Sequence, residues 1–264
     1  LPDPDEIEAL VTPRTRAIVL INPNNPTGAV YPRALLARIV DVARRHGLLL
    51  LADEIYDGIV YDERPEAPVF QPLAPLAGDT PCLSFGGLSK VHRACGWRVG
   101  WAVLSGDARA TQDFHHALDL LGALRLCANV PGQYAIEQAL HGQDTIGELC
   151  RPGGRLHATR RALIDCCASS EHLQLVTPRG ALYGFPGVVG EAARGFDDHA
   201  FALQLLEQED VLIMPGSGFN APTRNHMRVT LLPEAEVLRE VFQRMDRLLS
   251  QRARRASTRI AATA

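Results

Sequence analysis

The chain has 264 residues, enough for one large or two modest domains with buried cores. Its formal net charge of −3 gives no electrostatic case for nucleic acid or for an anionic membrane surface. No apolar run approaches a membrane span, and no signal-peptide pattern opens the chain.

A short helical piece is expected over residues 4–10, then a turn at 12–15 and an apolar run at 16–21 of buried-strand type. The loop Asn22-Pro-Asn-Asn-Pro-Thr-Gly28 follows, tight and polar, at the carboxyl end of that strand, where open α/β sheets place their ligands. Pro32 opens a helix over 33–46, with Leu35, Leu36, Ile39, Val40 and Ala43 on one face and Gly47 as its stop. A second buried strand at 48–52 delivers Asp53-Glu54-Ile55-Tyr56. Strand, loop, helix, strand implies a parallel pair with a right-handed crossover, so Asn25 and Asp53 are expected at one edge of the sheet.

Residues 65–81 are proline-rich and read as a surface loop. Strands are expected at 82–85 and 98–104, and helices at 107–124 and 129–140, the latter capped at Asn129 with Pro131 in its first turn. The pattern then changes to a helix at 154–169, short strands at 173–176 and 181–186, a helix at 197–209, strands at 211–215 and 227–231, and an amphipathic helix at 234–249. This organisation predicts an α/β protein with a larger domain over 1–150, a small domain over 151–250, and a disordered tail over 251–264. The basic tail is short and Ala/Ser/Thr-rich, so fraying is expected rather than a binding arm.

Of the 27 lysine and arginine residues, one alone, Lys90, is lysine. A guanidinium stays protonated, whereas a lysine amine can shed its proton when desolvated and act as a nucleophile or base. A lone lysine in an arginine-biased chain can be chance, but its use here is also what an imine-forming lysine requires. Eight residues on, Arg98 sits in Gly96-Trp-Arg-Val-Gly-Trp101, where a planar fork suits a phosphate ester. Asp53 alone would read as a turn former, yet a strand-end carboxylate can also keep a pyridine nitrogen protonated. His92, His115, His116 and His226 lack ligand spacing with a carboxylate or thiol partner, so no metal site is expected, and Trp97 and Trp101 read as packing. Six cysteines without a C-x-x-C pair suit free thiols in a reducing cytoplasm.

Together, N-P-N-N-P-T-G, D-E-I-Y and S-F-G-G-L-S-K with C-G-W-R-V-G-W, in this order and spacing, resemble the class I/II aminotransferases, the fold-type I enzymes that use pyridoxal 5'-phosphate (PLP). Residues 12–16, 124–131, 178–183 and 226–233 extend the likeness, which points to the bacterial alanine (glutamate–pyruvate) group. The resemblance implies that Lys90 is the Schiff-base lysine and Asp53 the partner of the pyridine nitrogen. It implies that Tyr56 and Asn25 hold the phenolic oxygen, and that the Asn25–Pro26 peptide is cis. Arg98 matches the phosphate arginine, with Ser89 assisting; the phosphate serine common three residues before the lysine is Gly87 here. Arg228 matches the arginine that grips the substrate α-carboxylate, with Asn25 beside it. Lys90 would then act as general base at the substrate Cα while an amino acid and a 2-oxo acid exchange an amino group.

The resemblance also implies roughly a further third of a chain ahead of Leu1, with a phosphate loop, a ring-stacking aromatic and a tyrosine lent to the partner in a cytoplasmic homodimer. Without it, edges and apolar faces of the large domain should be exposed, and PLP binding impaired. Alternatives are a C–S lyase or decarboxylase on the same cofactor, or an inactive or PLP-sensing fragment; no helix-turn-helix candidate supports a regulator here.

Overall fold

The computed structural model describes residues 1–61 and 70–261, with side chains as far as residue 257. Its contacts divide the chain into two units, Leu1–Asn24 with Ala29–Glu148 and Asn25–Gly28 with Leu149–Ala264.

The first unit runs α1 (Pro4–Ala9), β1 (Ala17–Ile21), α2 (Arg33–Arg45), β2 (Leu49–Asp53), α3 (Ala74–Ala77), β3 (Cys82–Gly87), β4 (Gly100–Ser105), α4 (Ala108–Arg125), α5 (Val130–Gln133) and α6 (Ala135–His141), with α7 (Thr145–Cys150) at the boundary. Its sheet has the order β1-β2-β3-β4; the first three strands are parallel and β4 is antiparallel. Register pairs Ile21 with Asp53 and Asp53 with Phe85, which brings the carboxyl ends of β1, β2 and β3 to one edge.

Helix α2 forms because its apolar residues fall on one stripe: Leu36, Ile39, Val40 and Ala43 are buried, and pack with Ile18, Leu20, Leu50, Ala52 and Cys82 in one core. Its end is a Schellman motif, in which Leu48 N–H donates to Ala43 O (2.9 Å) and Gly47, at φ +60°, takes the left-handed position. Arg44 and Arg45 in the last turn suit the negative end of the helix. On the opposite face of the sheet Val19 is 63% exposed, and Thr111 is the one buried residue of the 18-residue α4.

Several boundaries differ from expectation. The 98–104 strand starts only at Gly100, because Arg98 stands in the left-handed region (φ +55°) at the end of a 3-10 turn over Cys95–Trp97. Asn129 does cap a helix, accepting from Gly132 N–H at 3.2 Å, but that helix breaks at Tyr134 into α5 and α6. Of the 65–81 loop, residues 65–69 lie outside the described residues, and α3 interrupts the remainder. Trp101 packs as expected, lying where a Cβ on Gly86 would meet its ring at 2.5 Å, whereas Trp97 is exposed.

The second unit contains α8 (Arg155–Ser169), β5 (Leu173–Gln174), β6 (Tyr183–Gly184), β7 (Gly187–Val188), α9 (Asp198–Glu209), β8 (Met214–Pro215), β9 (Met227–Thr230) and α10 (Ala235–Ala261). Antiparallel pairs join β5 to β7 and build a second sheet in the order β6-β9-β8. The strand expected over 181–186 is therefore split: the chain leaves β9 after Gly184 and joins β5 at Gly187, and the turn holds Pro186, which has no N–H for a ladder. In α10, Leu238, Phe242, Met245 and Leu249 are buried at helical spacing. The helix does not stop at 249 to release a disordered tail; it continues to Ala261, and residues 262–264 lie outside the described residues. Arg252 explains the continuation. Its guanidinium donates to the carbonyls of Ala192 (2.8 Å), Arg194 (2.8 Å) and Gly195 (2.6 Å), and its Cζ lies 5.2 Å from the Phe196 ring centroid. Among the described residues, no helix is long and apolar enough to cross a membrane.

Candidate active site

In the first unit, β2 ends on Asp53. Its Oδ1 accepts the N–H of Ile55 at 3.2 Å, and its other carboxylate oxygen has no hydrogen bond among the described residues. The ladder continues one step beyond the strand, with Glu54 N–H donating to Phe85 O at 3.1 Å, and a tight turn follows in which Ile59 N–H donates to Tyr56 O at 2.8 Å. That turn buries Tyr56. Burial also pushes the carboxyls of Glu54 and Asp57 above the usual carboxylate range; the Leu73 N–H donated to Glu54 Oε1 at 2.7 Å opposes this for Glu54.

Next along the sheet edge, β3 delivers Lys90. Leu88, buried, donates its N–H to Val99 O at 3.1 Å, and Ala94 N–H returns to Leu88 O at 2.9 Å, so the Ser89–Arg93 segment is a closed turn. Lys90 Nζ lies 5.9 Å from the centroid of the Tyr56 ring. The structure thus brings Lys90, Tyr56 and Asp53 to neighbouring strand ends. Gly87 is a glycine for a local reason: a Cβ there would meet Val99 O at 2.9 Å, so a serine at that position would have to part β3 from β4. The half-buried Ser89 side chain has no hydrogen bond among the described residues. Arg98 does not face Lys90 through any contact; its Nη1 donates to Cys95 O at 2.6 Å within its own turn. A cavity of ≈ 480 Å³ in this unit is lined by Glu54, Ile55, Gly87 and Val91, next in sequence to Asp53 and Lys90 but not by these two.

The second unit holds Asn25 and Arg228. The Asn25–Pro26 peptide is cis, as the resemblance implies, and so is Asn22–Pro23, which sequence reasoning did not flag. Gly28 docks this segment: its carbonyl accepts the N–H groups of Arg179 (2.7 Å) and Gly180 (2.9 Å), its φ is +69°, and a Cβ would lie 2.4 Å from Pro178 Cβ. The segment places Asn25 Oδ1 3.0 Å from Arg228 Nη1, which donates to it. The guanidinium of Arg228 lies between two rings, its Cζ 4.5 Å from the Tyr183 centroid and 4.7 Å from that of Phe219. Its Nε is buried and has no hydrogen-bond partner among the described residues. A guanidinium held in one orientation offers the planar fork of N–H groups that suits a carboxylate. Sequence reasoning missed both rings. Tyr183 closes a stretch already similar to the family, whereas nothing in the sequence around Phe219 singles it out.

Comparison with known proteins finds relatives over nearly the whole chain. Residues 2–245 match the family described as aminotransferase class I and II. The glutamate-pyruvate aminotransferase AlaA of Escherichia coli K12 is 44% identical over 249 residues, 94% of this chain and 60% of that protein. An alanine aminotransferase of Mycobacterium tuberculosis H37Rv is 43% identical over 248 residues, 94% of this chain and 57% of the relative. The crystal structure of an aminotransferase from Escherichia coli superposes with a TM-score of 0.89 at 44% identity, covering 94% of this chain and 61% of the other. The chain therefore spans about three-fifths of the length of the relatives it matches. A match over nearly all of its residues, on the same fold and with the lysine turn at the same sheet edge as the strand-end aspartate, establishes that the chain belongs to the class I and II aminotransferase family.

Proposed function

We propose that this chain is the lysine-bearing part of an aminotransferase that exchanges an amino group between an L-amino acid of alanine or glutamate type and a 2-oxo acid. Class I and II aminotransferases use PLP and act on amino-acid and 2-oxo-acid substrates. When bound, PLP supplies a carbonyl that combines with amines and a ring that takes up the electrons of a carbanion.

The observation that carries the reading is the convergence of Lys90, Tyr56 and Asp53 at adjacent strand ends, with Lys90 Nζ 5.9 Å from the tyrosine ring. The residues fit the cofactor. Asp53 keeps a carboxylate oxygen for a protonated pyridine nitrogen, while Ile55 N–H fixes the other. Tyr56 and Asn25 would hold the phenolic oxygen, and Ser89 and Arg98 the phosphate, once Arg98 releases the Cys95 carbonyl. Arg98 is held in a left-handed conformation that costs an arginine about 1–2 kcal/mol. Arg228 would orient the substrate through its α-carboxylate, and Lys90 Nζ would take and return the proton at the substrate Cα.

In this reading residues 1–150 are part of the large cofactor-binding domain and 151–250 the small domain, in a protein that is a cytoplasmic homodimer. Among the described residues, no disulfide joins any of the six cysteines. The test is Lys90→Ala. Borohydride treatment with added PLP should label Lys90 covalently, and the variant should lose both that label and amino-group exchange, the latter by about 10³-fold or more. A label on another residue, or exchange that survives the substitution, sinks the assignment.

A further inference from the structure

Asp198 is the one carboxylate among the described residues with no exposed surface, and the reading above gives it no task. It is the first residue of α9, next to the helix cap Asp197, whose Oδ1 accepts Ala200 N–H at 2.8 Å. Asp198 Oδ2 reaches away from its helix to accept the backbone N–H of Ser217 at 2.6 Å. Its Oδ1 is buried without a hydrogen-bond partner among the described residues. A buried carboxylate satisfied at only one oxygen is costly to keep, and a neutral acceptor would serve a purely structural bond at less cost.

The Ser217 N–H belongs to the 3-10 turn Gly216–Phe219, which ends on the ring that covers Arg228. The turn is pinned at three points. Gly216 N–H donates to His226 O at 2.8 Å, and a Cβ on Gly216 would come within 2.7 Å of that carbonyl, so the backbone of the turn lies against β9. Asp198 holds the second residue. Phe185 meets Phe219 edge-on at 6.3 Å and stacks on His226 at 5.1 Å, which gives the Phe219 ring a contact of its own. Arg228 pairs with Met214, two residues before the turn, so the strand carrying the guanidinium and the strand feeding the turn are one hairpin.

We infer that Asp198 is a positioning residue for the carboxylate-binding arginine: by clamping the 216–219 turn it sets Phe219 against one face of the Arg228 guanidinium. Arg228 is thereby confined between Phe219 and Tyr183 and presents its N–H edge, rather than a rotating head, to an anion. Rigid preorganisation of this kind acts on ligand affinity, because the ordering cost is met before the ligand arrives. The inference rests on the reading of Arg228 as the carboxylate receptor.

The experiment measures the dissociation constant of propionate, an inert monocarboxylate, by titration calorimetry on the purified chain with PLP added. Asp198→Ala leaves the Ser217 N–H unpaired and should weaken propionate binding by about tenfold. Asp198→Asn, which still offers an acceptor oxygen, should recover most of the loss. Phe219→Ala should weaken binding to a similar degree, and the double variant Asp198→Ala/Phe219→Ala should be no weaker than Phe219→Ala alone, because both act through one ring. In the exchange reaction the same changes should raise KM for both substrates while kcat stays within about twofold. A role confined to stability would lower the melting temperature of Asp198→Ala and leave the propionate constant of the folded protein unchanged; that result overturns the inference. Additive losses in the double variant also overturn it. Arg228→Gln separates the two claims: if propionate binds it as well as the parent, the carboxylate-receptor reading itself falls. If Arg228→Gln abolishes binding while Asp198→Ala does not alter it, only the positioning role is lost.

Discussion

The two units of this chain are held together by different means, and each carries its own cluster of candidate residues. The first is a continuous apolar layer: α2 lies over three parallel strands, and Lys90, Tyr56 and Asp53 follow from where those strands end. The second has strands of two to four residues, and its cluster depends on docked loops, with Gly28 set against the 178–183 segment and Arg228 caged between rings from separate turns. A layer built on periodicity tolerates local change and loses stability in proportion to lost volume. A docked loop has little volume to lose but cannot accept an added atom.

The largest effect should come from the layer. Ile39 is fully buried under the sheet, so Ile39→Ala leaves a cavity and should cost about 4 kcal/mol of unfolding free energy, read from urea midpoints. The loss should appear in native-state hydrogen exchange as weakened protection across β1, β2 and β3. An effect below about 1 kcal/mol would mean that the α2 layer does not carry the first unit.

Gly28→Ala tests the other mode. Alanine at φ +69° is strained, and its Cβ would sit 2.4 Å from Pro178 Cβ and 2.7 Å from Tyr183 O. The combined cost should be about 2–3 kcal/mol. Its signature should be local: faster exchange at the Arg179 and Gly180 amides, which donate to Gly28 O, with β1–β3 protection retained. Loss of protection in both units together would erase the distinction between layer and docked loop.

The same contrast explains what could be read from the sequence. The helical stripe of α2, its glycine stop and the D-E-I-Y strand end are local patterns, and they lie where the spacing puts them, within a residue or two. Lys90 stood out because the chain uses arginine everywhere else. The β6/β7 break and the Arg98 turn were not legible, since both depend on which strand the chain pairs with next. Arg252 was the clearest miss. A basic, alanine-rich stretch resembles a frayed end, yet one guanidinium satisfied by three carbonyls extends the helix, and those carbonyls are about sixty residues away in sequence. Phe219 and Asp198 belong to the same class, residues whose partners are chosen by tertiary structure alone.

The smallest expected effect separates the units by the sign of their pH response. Burial raises the Glu54 carboxyl above its ordinary value of 4.5, so the folded chain binds that proton more tightly than the unfolded one. Stability from this group is present below 4.5 and is lost as pH rises through the higher folded value. Glu54→Gln keeps an acceptor for Leu73 N–H and removes the charge, so its advantage over the parent should grow with pH across that window and then level off. In the second unit burial lowers the His226 imidazole from 6.5, so stability there rises with pH from the lowered folded value up to 6.5 and is constant above it. His226→Gln should therefore gain on the parent as pH falls, the opposite direction, in urea midpoints taken from pH 4 to pH 8. Parallel pH trends in the two variants would show that one global charge balance, rather than two separately buried groups, sets the response.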